Sequence, residues 1–300
     1  MIRDYPTRRR ALLLLSSLLT AGRGFGQTDG ALRTELVRTY VNWLQAMRSM
    51  DVTAFSNHTS RYRQMCLRNE VVSLRQPWPA AIFKSVIQAP DVSRLTFMDA
   101  KARGDTARLV YFGQVDFALE SDLVTPENPL IVRFLSEKGR WKFDWLQYVN
   151  LGRDEDLRRQ IRGGGRQWLE EEEFLLNGAY PAIPLPCREP YQVAALSILA
   201  RGCRVKVDVN KGTHLETVSN NTGGRIITGG LQKGANLISI SPSVIPGEVT
   251  TPALEISVMS RAESYRPAVK LWSWKPAVPP AQWKEKYDSS IFVKSRASVN

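Results

Sequence analysis

The sequence predicts an α+β domain followed by an all-β sandwich. Three observations carry that expectation. Apolar residues recur at helical spacing up to about residue 89, and the pattern then changes to period two. After a charged, glycine-interrupted stretch, only short strands separated by turn signals remain.

The elements follow in chain order. Residues 1–26 carry a basic start (Arg3, Arg8, Arg9, Arg10), an uncharged apolar run at 11–22 and a small-x-small site at Gly24-Phe25-Gly26. That order is the pattern of a secretory signal peptide, and the run is too short to span a bilayer, which takes about 20 apolar residues. The stretch Thr7-Arg8-Arg9-Arg10-Ala11-Leu12-Leu13 also resembles the bacterial twin-arginine export motif, the reading favoured over its alternative, an ordinary export signal with an arginine-rich start. The expectation is an exported, periplasmic or extracellular protein with no membrane span after cleavage.

Residues 35–50 read as an amphipathic helix, with Val37, Tyr40, Val41, Leu44 and Met47 on one face. Asp51 is placed to cap a second helix over 51–60 that turns Phe55 inward. Further helical stretches are expected at 61–74 and 80–88, separated by Pro77-Trp78-Pro79. Strands are expected at 93–103, 106–119, 130–136 and 140–149. Gly104 and Gly139 serve turns, and Gly113 marks a candidate bulge. The segment 151–186 reads as a charged helical and proline-rich linker. Its Gly163-Gly164-Gly165 is taken as a hinge, and Pro181, Pro184 and Pro186 stiffen the exit. The final domain spans 187–293, with strands at 192–199, 204–209, 225–228, 236–241, 254–260 and 268–274.

“MRSMDVTAF” after the first helix, “KARGDTARLVYFG” as a strand pair and “SEKGRWKFD” as a closing hairpin resemble an NTF2-like (SnoaL-like) domain over 31–150. The resemblance implies a cone of helices on a curved antiparallel sheet, whose interior in some members holds a ligand or a catalytic dyad. “RVKVDVNKG” followed by “GGLQKGANLISISP” resembles the jelly-roll-like accessory modules of secreted carbohydrate-active enzymes. That resemblance implies the fold and not the ligand.

Catalytic candidates in the first domain are Asp51, His58 and Tyr62, with Asp116 and Asp144 as further carboxylates. An Asp–His pair moves protons when the carboxylate fixes the imidazole tautomer. Asp51 and His58 are seven residues apart, so one helix would place them about 10 Å apart along its axis, too far for a direct hydrogen bond. Asp51 as a helix cap and His58 as an exposed helix-end residue are the structural readings. Trp43, Tyr111, Trp141 and Trp145 either line a pocket or form core. Trp272 and Trp274 lie two apart on one strand face; they either stack on a ligand's rings or pin the chain's tail to the sandwich. His214, beside a turn, reads as solvated.

Cysteine and histidine spacing suggests no metal site and no cofactor. Cys66 reads as a buried free thiol, while Cys187 and Cys203 either pair or stay free. The net charge of +12 falls to +8 once the +4 of residues 1–26 is removed, and +7 of that lies within 181–300. This excess favours an anionic envelope polymer, glycan or protein partner; nucleic acid is not expected for an exported chain. With no nucleophile motif in the sequence, the expected role is non-catalytic binding or interaction in the bacterial envelope. The alternative is a small-molecule isomerase, dehydratase or hydrolase acting in the first domain.

Overall fold

A computed structural model describes residues 29–84, 89–117, 126–247, 251–260 and 268–294. The segment read as an export signal, residues 1–26, lies outside the described residues. The chain is α+β and divides into two compact units. The first is residues 1–64 with 83–183; the second is 65–82 with 184–300.

In the first unit, helix α1 (Asp29–Arg48) is followed by α2 (Val52–His58) and the opening turn of α3 (Arg61–Ser73). Leu32, Leu36, Tyr40, Trp43 and Leu44 form the buried face of α1. That face is rotated from the sequence expectation: Val41 is exposed and Val37 half-buried. Asp51 caps α2 by accepting a 2.9 Å hydrogen bond from the Ala54 N–H, which satisfies one of the free amides of a helix start. Phe55 is buried as expected.

Strands β1 (Thr96–Arg103), β2 (Thr106–Gln114), β3 (Glu127–Glu137) and β4 (Arg140–Tyr148) form an antiparallel meander in that order. The register shifts between Phe97 and Asp99 in β1 and between Arg133 and Phe134 in β3. Gly113 pairs regularly with Asn128, so the expected bulge is not there. Every residue of β2 from Thr106 to Phe112 is buried. A strand buried on both faces needs cover on both. Helix α1 packs across β1, β2 and β4 on one face. On the other, Met98, Val110, Phe112 and Ile131 pack against Leu151, Ile161, Trp168, Leu169 and Phe174.

That second cover comes from the segment read as a linker. It holds α4 (Glu155–Arg162) and short 3-10 turns at Gln167–Glu170 and Glu172–Phe174. Gly163-Gly164-Gly165 is a helix terminator and not a hinge: its three amides bond back to the carbonyls of Arg159, Ile161 and Gln160 at 2.8–3.0 Å. Arginines on the sheet hold the strap. Arg108, itself buried, pairs with Asp99 at 3.0 Å and donates to the carbonyls of Phe174 (2.8 Å) and Leu169 (3.4 Å). Arg133 donates to Glu173 O and Arg103 to Leu176 O.

The second unit is built on two four-stranded antiparallel sheets. One runs β11 (Val269–Trp274), β10 (Ala253–Ser260), β5 (Ala194–Arg201), β8 (Thr222–Ile226). The other runs β12 (Tyr287–Val293), β9 (Gly234–Val244), β6 (Cys203–Val209), β7 (His214–Ser219). Leu196, Ile198, Val205, Val207, Ile238, Ile240, Ile256 and Val258 share one core cluster. Strands β7 and β12 escape the sequence reading, because polar residues occupy most of their positions. Residues 65–82, read as part of the first domain, group here. Asn69 accepts from the Cys187 N–H at 2.9 Å and donates to Leu185 O at 2.8 Å, while the Ser73 hydroxyl accepts from the Gly229 N–H at 2.7 Å. None of Cys66, Cys187 and Cys203 is in a disulfide, and Cys66 is half-buried, not buried.

Gly104 turns the β1–β2 hairpin at φ +52°, and a Cβ there would sit 2.1 Å from the Gly178 carbonyl oxygen. Gly104→Ala therefore meets both a left-handed backbone and another backbone. We expect a loss of more than about 1 kcal/mol in denaturant unfolding. Gly139→Ala, at φ +73° but with open space around it, should cost less.

Candidate functional site

The sequence-selected residues of the first unit do not converge on one point. Asp51 and His58 stand at opposite ends of α2, and the Asp51 carboxylate is engaged in its cap. His58 is half-buried, not exposed. Burial and the nearby Lys142 hold its imidazole below the usual range, and Lys142 donates to the Asn57 carbonyl beside it. Trp43 lies flat on Phe143 with ring centroids 3.6 Å apart and stacks on Tyr40 at 5.7 Å. Tyr111 is buried edge-on to Phe97 at 5.9 Å. These aromatics fill the space between α1 and the sheet. Trp141 is half-buried opposite Ser136 in the β3–β4 hairpin, and Asp116 is exposed.

Asp144 and Trp145 are joined to the start of α3 through Ser60 and Arg63, next to Tyr62, and these partners were not singled out in the sequence. Ser60 precedes α3 as its cap. The Ser60 hydroxyl accepts from the Arg63 N–H at 3.0 Å and donates to Asp144 Oδ1 at 2.6 Å. The Ser60 N–H also bonds to Phe143 O at 2.8 Å, which fastens the helix start to β4. Glu137, at the end of β3, accepts from the Arg61 N–H at 2.6 Å and from the Tyr180 hydroxyl at 2.5 Å. The Tyr180 oxygen in turn accepts from the Tyr62 N–H at 3.2 Å. The Arg63 guanidinium lies 4.1 Å over the Trp145 ring.

Burial raises the pKa of Asp144. The Ser60 hydrogen bond, Arg63 and Arg133 oppose that rise, and Glu137 adds to it. Tyr180 is also raised, by burial and by its bond to Glu137. The cluster therefore offers a half-buried carboxyl group beside a second carboxylate, a guanidinium and an indole. Such a set can hold a proton or receive a cation. Ser60 is fully buried and committed at both of its hydrogen-bonding roles, so it is not an available nucleophile. Besides Tyr62 and Asp144, the sequence signal for this site is Ser60 immediately before the helical run that begins at Arg61, a favoured N-cap residue.

In the second unit Trp272 and Trp274 face inward, opposite Val258 and Ile256, and pack against the sandwich core; Trp274 meets Tyr287 at 4.9 Å. They pin the β11–β12 edge. His214 is buried, contrary to the solvated reading. Its Nδ1 accepts from the Thr228 N–H at 3.1 Å, so the neutral ring carries its proton on Nε2, which has no hydrogen-bond partner. Burial and Arg225 lower its pKa to about 4, with Asp208 opposing. Buried Glu216 on the same strand pairs with Arg225 at 3.0 Å.

A shallow, open depression of about 410 Å3 on α1, lined by Gly30, Ala31, Thr34, Glu35 and Arg38, touches none of these groups. Among the described residues, no three His, Cys, Asp or Glu side chains are grouped to hold a metal ion, and no helix is long and apolar enough to cross a membrane. No protein-family model matches the chain, and no curated protein or solved structure matches it either.

Two pH dependences follow. Between pH 6.5 and about 4, unfolded His214 takes up a proton that the folded chain refuses. Its contribution is complete above pH 6.5 and is lost as the pH falls to about 4, a loss on the order of 3 kcal/mol. His214→Asn should flatten that acid limb in unfolding titrations. Asp144 has the opposite sign. Its raised pKa makes the folded state lose stability as the pH rises through the window between its unfolded and folded values. Asp144→Asn should therefore gain relative to wild type on going from acid to neutral pH.

Proposed function

We propose that the chain is an exported bacterial envelope protein with a non-catalytic binding or interaction role. In this reading an NTF2-like first unit and a jelly-roll-like second unit both serve as binding scaffolds. The observation that carries it is the Tyr40–Trp43–Phe143 stack, which fills space between α1 and the sheet that turnover of an enclosed small molecule would need, and so favours recognition at the surface. One of the three catalytic candidates also has structural employment: the Asp51 carboxylate caps a helix. The basic excess over 181–300 favours an anionic envelope polymer, glycan or acidic protein as partner.

A second reading, a small-molecule isomerase, dehydratase or hydrolase, draws on one feature. Asp144, with its raised pKa, sits half-buried beside Arg63, Trp145 and the Glu137–Tyr180 pair. A proton-holding carboxyl in such surroundings suits general acid–base work.

Screening the mature protein against peptidoglycan, acidic and neutral polysaccharides, anionic vesicles and envelope extracts separates the two. Salt-sensitive retention on an anionic component, unchanged by Asp144→Asn, is the expected result. No retention on any of them, or turnover of a small molecule abolished by Asp144→Asn with the fold intact, would sink the binding role.

A further inference from the structure

At one end of the β12-β9-β6-β7 sheet, the outward positions carry large apolar side chains that no core covers. Phe292 is 70% exposed, Leu215 53% and Leu237 45%. Alternation places them all on the outer face. Ile291, Val293, Ile238 and Val209 point inward and are buried, while Phe292, Leu237 and Leu215 point the other way. The register brings them to the same end: Phe292 is opposite Ala235, Ser290 opposite Leu237, and Leu215 opposite Asp208. Phe292 and Leu237 are thus diagonal neighbours on adjacent strands.

Three lysines rim this patch. Lys233 immediately precedes Gly234 and Lys294 follows Val293, and Gly234 and Val293 form the terminal pair of the β9–β12 ladder. Lys211 lies in the turn between β6 and β7. That turn is tied to Leu237 by two backbone-directed bonds, Asn210 N–H to Leu237 O and Leu237 N–H to Asn210 Oδ1, both 3.0 Å. Lys211, Lys233 and Lys294 are all exposed. The two acids on the same face are already engaged. Asp208 accepts from the Gly212 N–H at 2.6 Å, and Asp288 pairs with Lys286 and Ser239. Farther along β6, exposed Arg204 and Lys206 continue the positive face.

The end is rigid. Asn236, fully buried, donates to Gln232 O at 2.8 Å, Gly234 O at 3.2 Å and Ile291 O at 3.4 Å, and accepts from the Gln232 N–H and Asn210 Nδ2 at 2.8 and 3.0 Å. One amide thereby fixes the start of β9, the Lys211 turn and the end of β12 relative to one another.

We propose that this face docks on an anionic lipid surface: Phe292 enters the acyl boundary, Leu237 and Leu215 follow at its edge, and Lys211, Lys233 and Lys294 meet lipid phosphates. Charge complementarity selects the occupant. A protruding phenyl ring beside two leucines gains from hydrocarbon, and a lysine rim gains from a phosphate layer. Two aliphatic leucines offer nothing comparable to sugar hydroxyls. The inference deepens the envelope-binding role proposed above by naming a partner.

The test is co-sedimentation of the full mature chain with vesicles of phosphatidylcholine alone or mixed with phosphatidylglycerol, each variant being checked for native near-UV circular dichroism. Wild type should sediment with the mixed vesicles only, and less so at high salt. Each lysine-to-alanine change at 211, 233 or 294 should weaken binding about fivefold, and Phe292→Ser about tenfold or more. Three results would overturn the proposal: indifference to both vesicles, binding that these variants leave unchanged, or a dimer in solution that Phe292→Ser dissolves without any lipid binding. Should a soluble anionic glycan still bind when vesicles do not, the broader binding role stands while lipid docking falls.

Discussion

A guanidinium buried against a β-sheet organises the first unit. Arg108 sits in a strand with apolar neighbours on either side, where an unpaired charge costs several kcal/mol. It is tolerated because Asp99 neutralises it and two carbonyls of the 166–176 strap complete its hydrogen bonds. The strap is thus held by polar groups it supplies itself, while Ile161, Trp168, Leu169 and Phe174 supply the apolar burial. Remove that cover and β2 loses one of its two faces. The opposite cover, α1, meets the sheet through apolar and aromatic side chains, Trp43 lying flat on Phe143, and through the Arg33 guanidinium 3.9 Å over the Phe97 ring.

The same logic places chemistry at the margin of the first unit. Stacked rings lie between α1 and the sheet, and on that side titratable groups gather where α3 begins and the β3–β4 hairpin ends. Ser60, Asp144, Glu137 and Tyr180 fasten that corner through charged and neutral hydrogen bonds. A corner tied in this way is rigid, and its carboxyl group is held partly out of water. Structural fastening and ligand recognition would use the same atoms.

The second unit has a different economy. Its core is built mainly from Val, Ile and Leu that alternate along most strands of two sheets. Among the described residues the polar exceptions include Asn236 on β9 and Ser260 on β10, and on β7 His214 and Glu216 take inward positions and are satisfied in part by Thr228 and Arg225. Apolar residues displaced outward, notably Phe292 and Leu237, make the surface less inert than the core requires.

Local chemistry was legible in the sequence by itself. Asp51 before Val52 is a cap, Gly104 and Gly139 are turns, and period-two runs mark β1 to β4; each depends only on nearby residues. Alternation puts Trp272 and Trp274 on one face of a strand but does not say whether that face is core. Only the tertiary structure decided that 151–176 is a layer and not a linker, that residues 65–82 group with the sandwich, that His214 is buried, and that Ser60 meets Asp144 across 84 residues. Sequence periodicity reports one side of an element. What covers that side, and which distant polar groups share its burial, is set by long-range packing that no local pattern encodes.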